Sequence, residues 1–326
     1  MIESELRNST TAQVVAELQR RPAFVMVSHV KPDGDTLGAG LALGIALKRL
    51  GKPVYYFQQD PVPRNLRFLA DAQFVSRDLP PDLPPDTLYV FCDMSDFTRA
   101  GEFLPKIERE NMLDIDHHLG NSHFGAFNYV IPTECSTGTT VMHLLRELNV
   151  EIDRDIATCI LTTIMTDTGG FMHSNTTPEV LELSAQLIRA GADKEEITEE
   201  IFANKRIAAT RLLGRVIDAM VFAHDGRYCY SYVDDRMLAE TGGDGEDTED
   251  VVNVLRSQEN VEVAALFKAY DGELRVSLRS NGRINVQAAA ASLGGGGHFR
   301  ASGLTFEGSL TDAFRAVEAA LVAEGL

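Results

Sequence analysis

The sequence predicts an α/β protein with two domains: a parallel sheet with helices on both faces, then a smaller C-terminal α/β domain with a mixed sheet. The chain has 326 residues, enough for two hydrophobic cores. The runs at residues 23–27 and 88–92 are apolar throughout, which is typical of strands covered on both faces. The last third contains alternating runs and the turn pairs Asp271-Gly272 and Asn281-Gly282, which indicate antiparallel strands.

The N-terminal half alternates strand-like and helix-like segments, which is the pattern of a parallel sheet. The predicted strands are residues 23–27, 54–57, 88–92 and 112–115, and the predicted helices are 11–20, 37–50, 139–148, 156–165 and 178–190. Gly51 ends the second helix. Ser136 and Thr137 are interpreted as caps of the helix at 139–148 rather than as catalytic hydroxyls.

The C-terminal part begins after a helical connection, which contains a predicted helix at residues 197–203 and the start of another at 207–222. The predicted helices of the C-terminal part are then residues 286–293 and 311–324, and its predicted strands are 228–233, 261–267, 273–279 and 283–286. Thr311 or Asp312 is the expected cap of the last helix. These segments predict a first domain at residues 1–190, a helical linker at 191–215 and a second domain at 216–326.

The loop after the first strand concentrates polar chemistry. His29, Asp33 and Asp35 fall within seven residues, between a strand and a helix, where open α/β sheets place their ligand sites. Pro32 and Gly34 keep this backbone irregular, so the three side chains can converge. Carboxylates with one imidazole suit Mn2+ or Mg2+. The alternative is a capped helix start, with Asp35 or Thr36 as the N-cap.

Two further strands deliver similar groups. Asp93 follows the strand at 88–92, and Asp116, His117 and His118 follow the strand at 112–115. Parallel strands end at one edge of a sheet, so these side chains are expected to meet there. Asp167 ends a buried helix and needs a partner charge, although a turn-forming aspartate is the alternative.

Four consecutive glycines, 294–297, precede His298 and lie among strands and helices rather than in a linker. Glycines expose backbone N–H groups that can approach a phosphate. The surrounding arginines make this the locally basic part of an acidic chain. A tight turn packed under a helix is the alternative.

Composition narrows the class of protein. The net charge of −18 argues against sequence-blind binding of long nucleic acid. The polar N-terminus lacks the apolar core of a signal peptide, and no run is long enough to span a membrane. The four cysteines form no C-x-x-C pair, and the sequence therefore predicts reduced thiols in a cytoplasmic protein.

The motifs together resemble the DHH phosphoesterases. The segments that carry the resemblance are His29-x-x-Pro32-Asp33-x-Asp35, Asp93, Asp116-His117-His118 and Asp167. Gly294–Gly297 with His298 is similar to the GGGGH motif of the DHH-associated C-terminal domain. The resemblance covers nearly the whole chain, and its size is that of the nanoRNase/pAp-phosphatase branch. Ala39 and Ala301-Ser302-Gly303 depart slightly from the usual pattern without removing a ligand.

The resemblance implies a two-manganese centre in a cleft between the domains, for which Mg2+ or Co2+ could substitute. One ion would be held by His29, Asp33 and Asp93, and the other by Asp35, Asp93, His117 and Asp167. His118 would lie beside the scissile phosphate, with Asp116 orienting an imidazole. The implied substrate-binding residues are Arg279, Ser280, Gly295, Gly296, Gly297 and His298.

The expected activity is hydrolysis of short oligoribonucleotides to 5′-mononucleotides, with removal of the 3′-phosphate from pAp as a second reaction. The expected partner is a short RNA or small nucleotide, not long nucleic acid or a membrane, and a homodimer is left open. The main alternative is a phosphodiesterase for cyclic di-AMP or linear pApA. Single-stranded DNA and inorganic pyrophosphate are weaker alternatives. A catalytically silent nucleotide sensor is the alternative from another class.

Overall fold

The computed structural model describes residues 8–249 and 251–326, and it divides into two compact units. The first unit ends at Asn204 and the second begins at Lys205, within the predicted linker at 191–215. The predicted domain bounds themselves stay predictions. The first seven residues of the polar N-terminus lie outside the described ranges. Within those ranges, no helix combines the length and apolarity needed to cross a membrane.

The first unit is built on a six-stranded sheet. Its strands are β1 (Phe24–Val27), β2 (Val54–Phe57), β3 (Val75–Ser76), β4 (Leu88–Cys92), β5 (Met112–Asp116) and β6 (Phe127–Val130). All are parallel, in the order β3-β2-β1-β4-β5-β6. The chain moves outward in one direction from β1 and then in the other from β4. The carboxyl ends of β1 and β4 therefore form the switch point at which such sheets hold ligands.

The helices of the first unit build its larger core. They are α1 (Thr11–Arg20), α2 (Gly34–Arg49), α3 (Thr137–Glu147), α4 (Arg154–Asp167), α5 (Pro178–Arg189) and α6 (Lys194–Ile197), and a π-helical segment, Thr198–Ala203, follows α6. Alternate strand residues such as Phe24 and Met26 pack into this helical core. Val25 and Val27 face the other side, which is covered by loops and by short 3₁₀ helices such as Phe97–Ala100.

Close packing of α2 against α4 brings the ends of both helices to the same region. A Cβ atom on Gly38 would lie 2.7 Å from the Cys159 carbonyl oxygen and 2.7 Å from the Thr163 methyl group. Only glycine allows this approach. The packing therefore fixes α4, which carries Asp167, against α2, which carries Asp35.

The second unit contains a mixed six-stranded sheet. Its elements are α7 (Ile207–Asp218), β7 (Val221–Ala223), β8 (Tyr228–Asp234), α8 (Asp235–Thr241), α9 (Val251–Arg256), β9 (Val263–Tyr270), β10 (Glu273–Ser280), α10 (Val286–Ser292), β11 (Gly296–His298), β12 (Ala301–Thr305) and α11 (Leu310–Ala323). The strand order is β11-β12-β10-β9-β8-β7, and only β8 and β9 are parallel neighbours. The predicted fold class, a parallel sheet followed by a smaller mixed sheet, is confirmed.

Three sequence predictions in the second unit are wrong. The helix predicted at 207–222 ends at Asp218, and Val221 and Phe222 form the edge strand β7, in which Phe222 pairs with Cys229. Residues 283–286 are not a strand, because the Asn285 side chain accepts hydrogen bonds from two backbone amides and starts α10. The cap of α11 is Ser309, not Thr311 or Asp312. The other predicted elements agree with the observed bounds to within about three residues, apart from the predicted helix at 197–203, most of which is π-helical.

Candidate metal centre

The loop after β1 folds back onto the end of β4. Asp33 is the N-cap of α2, because its Oδ1 accepts hydrogen bonds from the amides of Asp35 and Thr36, both at 3.1 Å. The alternative that made Asp35 or Thr36 the cap is therefore wrong. The Thr36 hydroxyl donates to the Cys92 carbonyl oxygen at 2.7 Å and accepts from the His29 amide at 3.3 Å. These bonds hold His29, which is 1% exposed, next to Asp93.

Asp93 lies at the centre of the cluster. Its backbone has φ +64°, a left-handed conformation that aspartate tolerates better than most residues. Its carboxylate lies 3.4 Å from His29 Nε2 through one oxygen and 3.6 Å from His117 Nε2 through the other. The Thr137 hydroxyl donates to the second oxygen at 3.0 Å. Asp93 can therefore serve two neighbouring groups at once.

The N-terminus of α3 holds a second buried carboxylate. Asp35 is fully buried, and its oxygens accept hydrogen bonds from the backbone amides of Thr137 at 2.7 Å and Gly138 at 3.1 Å. The positive end of the helix dipole favours a negative charge at this position. The same carboxylate lies 3.6 Å from His117 Nε2, so Asp35 from the start of α2 and Asp93 from the end of β4 approach one imidazole.

Asp167 completes the group from the C-terminus of a helix. It is the last residue of α4, and its Oδ2 lies 3.2 Å from His117 Nε2. A carboxylate at a helix C-terminus is disfavoured by the helix dipole and calls for a nearby cation. His117 Nδ1 lies 3.2 Å from the Glu134 carbonyl oxygen, which leaves Nε2 directed at the carboxylates.

These side chains form three overlapping groups whose ligand atoms lie within 4.8 Å of one another. The groups are His29 with Asp33 and Asp93; Asp35 with His117 and Asp167; and Asp93 with His117 and His118. The structure thus brings together all six residues for which the resemblance implied metal binding. Their assignment to individual ions stays a prediction.

The crowding of carboxylates shifts several pKa values. Burial and then the charges of Asp167 and Asp93 raise the pKa of Asp35 well above its ordinary value. Burial also raises the pKa of Asp167, to about 6, against the opposing hydrogen bond from His117. Burial lowers the pKa of His29, but Asp33 and Asp93 outweigh it and raise that pKa to about 10. An excess of negative charge in one buried place is what a divalent cation would neutralise.

One buried atom tests whether a metal fits. His29 Nε2 has no hydrogen-bond partner among the described residues, although it faces the carboxylates of Asp93 and Asp33 at 3.4 and 3.7 Å. An unpaired buried imidazole nitrogen is unfavourable unless it binds a proton or a metal ion. Imidazole and carboxylate donors in this ratio suit Mn2+ or Mg2+ better than thiolate-binding metals. The residues therefore fit divalent ions.

His118 and Asp116 form a hydrogen-bonded pair beside the cluster. Asp116 is fully buried, and its Oδ1 accepts hydrogen bonds from His118 Nδ1 at 2.7 Å and from the His117 amide at 2.8 Å. His118 Nδ1 also lies 3.5 Å from an Asp93 oxygen. The short bond to Asp116 fixes the plane of the imidazole and places the proton on Nδ1.

Two sets of supporting hydrogen bonds in this region were not predicted from the sequence. Ser136 is the N-cap of α3, as predicted, but Thr137 is not a cap: its hydroxyl binds Asp93 and its amide binds Asp35. Asn121 and Asp114 join the Asp116 pair through further hydrogen bonds. A visible signal for Asp114 was its spacing, since a residue two before Asp116 on a strand points to the same face.

The residues predicted to bind substrate lie in the second unit. Arg279 of β10 and His298 of β11 are both in register with Ala301 of β12. Ser280 is fully buried, and its hydroxyl accepts a hydrogen bond from the Gly282 amide. The side chain of His298 lies outside the part of the chain that the structure describes. The substrate roles, and the predicted cleft between the domains, stay predictions.

The second half of the glycine run, Gly296 and Gly297, lies in the strand β11. A Cβ atom on Gly295 would lie 2.5 Å from the Leu304 Cβ, and Gly297 has φ +136° and sits against the Ala301 carbonyl oxygen. A Cβ atom on Gly296 would meet nothing within 4 Å. Gly295 and Gly297 are thus needed for close packing, whereas Gly296 leaves open space beside the strand.

Comparison with known proteins identifies two matching family models. The model of the DHH family, N-terminal domain, matches residues 23–164, and that of the DHHA1 domain matches residues 225–323. The chain is 36% identical over 300 residues to the bifunctional oligoribonuclease and PAP phosphatase NrnA of Thermus thermophilus, covering 91% of this chain and 88% of that one. It is 28% identical to the NrnA of Mycoplasma pneumoniae, covering 96% of both chains.

Solved structures share the fold. An exopolyphosphatase-related protein from Bacteroides fragilis superposes with a TM-score of 0.87 at 26% identity, covering 96% of this chain and 95% of that one. RecJ of Thermus thermophilus, in complex with Mn2+, gives a TM-score of 0.52 at 16% identity over 96% of this chain and 54% of RecJ. The likeness to RecJ extends to the fold alone.

Proposed function

Because the chain belongs to the DHH family of phosphoesterases, we propose that it hydrolyses short oligoribonucleotides to 5′-mononucleotides and removes the 3′-phosphate from pAp. The observation that carries this proposal is the convergence of four carboxylates and two imidazoles at the switch point of the parallel sheet. The oligoribonuclease and PAP phosphatase names of the relatives support the substrate class.

We propose that two Mn2+ ions are the resident metals, one held by His29, Asp33 and Asp93 and one by Asp35, Asp93, His117 and Asp167. Bound there, the ions would neutralise phosphate charge and make water acidic enough to attack at neutral pH. The chain supplies the frame for this chemistry: the α3 amides orient Asp35, and the Thr137 hydroxyl orients Asp93.

His118 is proposed to contact the reacting phosphate. Burial lowers the pKa of His118, but the Asp116 hydrogen bond and the charges of Asp93 and Asp116 outweigh it and raise that pKa. The imidazolium is therefore favoured, with Nδ1–H directed at Asp116. Its Nε2–H can then donate to a phosphate oxygen as negative charge grows there. Asp116 stays ionised and prevents rotation of the ring.

The second unit is proposed to bind the nucleotide. Arg279 and Ser280 on β10 supply a guanidinium group and a hydroxyl, and the strand Gly296–His298 supplies backbone N–H groups; the two strands flank β12 on opposite sides. Such groups bind phosphate without a large side chain in the way. The net charge of −18 disfavours long nucleic acid, so the preferred substrates are short.

Turnover of a small substrate panel with Mn2+ tests the proposal. The panel is an RNA dinucleotide, a longer RNA, pAp, linear pApA and cyclic di-AMP. Fast hydrolysis of the dinucleotide and pAp is expected, with slow attack on the cyclic compound. Preference for cyclic di-AMP would contradict the proposed substrate but not the chemistry. Binding of nucleotide without hydrolysis of any compound would overturn the enzymatic proposal and support a sensor.

A further inference from the structure

The side-chain nitrogen of Asn121 is surrounded by more hydrogen-bond acceptors than it has hydrogens to donate. Its Nδ2 lies 2.7 Å from Asp116 Oδ2, 2.8 Å from Asp114 Oδ2 and 3.1 Å from the Met94 carbonyl oxygen. Its Oδ1 accepts a hydrogen bond from the His123 amide at 2.6 Å. Three acceptors surround a group with two hydrogens, so the amide orientation is unambiguous: a flipped amide would aim its oxygen at three other oxygens.

Asp114 sits behind this amide in an apolar setting. It is fully buried, it shares a strand face with Met112 of the smaller apolar cluster, and its Oδ1 has no hydrogen-bond partner among the described residues. An ionised carboxylate with a bare buried oxygen is strongly disfavoured. Burial and the charge of Asp116 raise the pKa of Asp114 well above its ordinary value, against the smaller effect of the Asn121 bond.

Asp116, two residues further on, has many more hydrogen-bond partners. It accepts hydrogen bonds from His118 Nδ1, from the His117 amide and from Asn121. The two neighbouring carboxyl groups therefore differ in their contacts. Asp116 accepts three hydrogen bonds, whereas Asp114 accepts one, from Asn121, and its other oxygen has no partner among the described residues.

We propose that Asn121 and Asp114 are positioning residues for His118: Asp114 and the Met94 carbonyl orient the Asn121 amide, which fixes the Asp116 carboxylate that in turn holds the imidazole. The inference rests on the proposed function, in which His118 contacts the reacting phosphate. Asn121 is attached to the strand end through its own amide, which donates to the His118 carbonyl oxygen at 3.3 Å. The chain from Asp114 to His118 is therefore continuous.

Asn121→Ala and Asp114→Asn test this chain. Asn121→Ala leaves one Asp116 oxygen without its donor, and kcat for the RNA dinucleotide is expected to fall about 10- to 100-fold with KM and Mn2+ affinity little changed. Asp114→Asn keeps the shape of the side chain and an acceptor oxygen for the Asn121 amide, so its kcat is expected to stay within about threefold of wild type. Asn128→Ala is the control, because Asn128 is buried on β6 of the same sheet and its side chain bonds Gly125.

A spectroscopic readout separates positioning from stability and from turnover. The proton between His118 Nδ1 and Asp116 gives a downfield imidazole NMR signal, assigned by its absence in His118→Ala. The signal is expected in wild type, Asp114→Asn and Asn128→Ala, and is expected to shift or broaden in Asn121→Ala.

An unchanged signal and unchanged kcat in Asn121→Ala would overturn the inference, as would loss of both in Asp114→Asn. If the wild type fails to hydrolyse the dinucleotide, the proposed function fails, whereas the NMR comparison still decides the positioning role.

Discussion

The two units present their functional groups in opposite ways. In the first unit, side chains such as Asp93 and His117 extend from the carboxyl ends of parallel strands and converge on a small buried volume. In the second unit, the strand at Gly296–His298 offers mainly backbone, and its glycines keep side chains away. On the proposed function, the first region acts through the donor atoms that it brings together, and the second through the space that its glycines leave open.

The two regions should respond to substitution in different ways. Removing an atom in the first unit deletes a charge or a hydrogen bond and should affect metal binding and kcat. Adding an atom in the second unit fills space and should affect KM, with metal affinity unchanged. Substitutions in each region test this division.

Removal of the shared carboxylate should have the largest effect. In Asp93→Ala the donor common to two ligand groups is lost, and kcat/KM for the RNA dinucleotide is expected to fall by at least about 10³-fold. Steady-state kinetics with saturating Mn2+ measures the loss. Asp82→Asn, which removes an exposed aspartate of the same unit, is the control. Full activity in Asp93→Ala would end the two-ion proposal.

Metal affinity should depend steeply on pH. Burial lowers the pKa of His29 and of His117, but neighbouring carboxylates outweigh it and raise these values to about 10 and about 11 in the metal-free protein. Both imidazoles are therefore protonated at pH 7, and a metal ion must displace those protons. Between pH 7 and 9 the Mn2+ affinity is expected to rise by up to about tenfold per pH unit for each proton released.

Calorimetric titration in two buffers of different ionisation enthalpy counts the protons released. Equal affinity at pH 7 and pH 9, with no proton release, would contradict the prediction.

The folding stability of the metal-free protein should instead fall as the pH rises. The pKa values of His29 and His117 are raised in the folded state, so both protonated imidazoles stabilise the fold. This contribution is complete below about pH 6.5 and is lost as the pH rises toward 10. Thermal melting in EDTA across this range measures the loss.

Loss of one supporting hydroxyl should have an intermediate effect. Thr137→Val keeps the shape of the side chain but deletes the 3.0 Å hydrogen bond to Asp93, and Mn2+ affinity is expected to fall about tenfold. Thr140→Val on the same helix is a matched control. Thr140 is fully buried and its hydroxyl has no hydrogen-bond partner in the described part of the chain, so its loss should be neutral or stabilising. Similar metal affinities in the two variants would refute the role of Thr137.

Added methyl groups on the glycine run at 294–297 should have the smallest effect on turnover. Gly295→Ala is expected to lower the Tm, because the new Cβ overlaps Leu304, at a cost of about 1–3 kcal/mol. Gly296→Ala should leave the Tm unchanged but raise KM several-fold, since its Cβ would enter open space that the substrate is proposed to use. Both variants should bind Mn2+ like the wild type.

Gly214→Ala is the control for the glycine series. It also adds a methyl group to the second unit where nothing lies within 4 Å, but on α7. An alanine there should stabilise the helix slightly and leave KM unchanged. If Gly296→Ala leaves KM unchanged as well, the space above the glycine strand is not used by the substrate.

Buried apolar strands were easier to predict from sequence than short strands, for a physical reason. Residues 54–57 and 88–92 are buried apolar strands, and the sequence marks their bounds without help from partners. By contrast, β3, β7, β11 and β12 have two to five residues each and exist because a neighbouring strand pairs with them. β6 was also missed. Glycines 296 and 297 carry no strand signal of their own.

The candidate site shows the same limit. His29, Asp93 and His117 stand out because each follows an apolar run. Thr137 resembles an ordinary helix start until the fold brings Asp93 to it from 44 residues away. The Asp33 cap could not be told from an Asp35 cap, since both fit the local pattern. Sequence reasoning identifies residues whose role is visible in the local sequence pattern. Supporting partners that are distant in sequence can be identified only once the fold is known.

The order of the ligands along the chain has a consequence for biosynthesis. All six candidate ligands lie between His29 and Asp167, and the last of them ends α4 well before the second unit begins at Lys205. During translation, the six candidate ligands therefore leave the ribosome before the residues proposed to bind substrate have been made. On the proposed function, the donor atoms for the metals are all present in the nascent chain before it contains any group that selects the nucleotide.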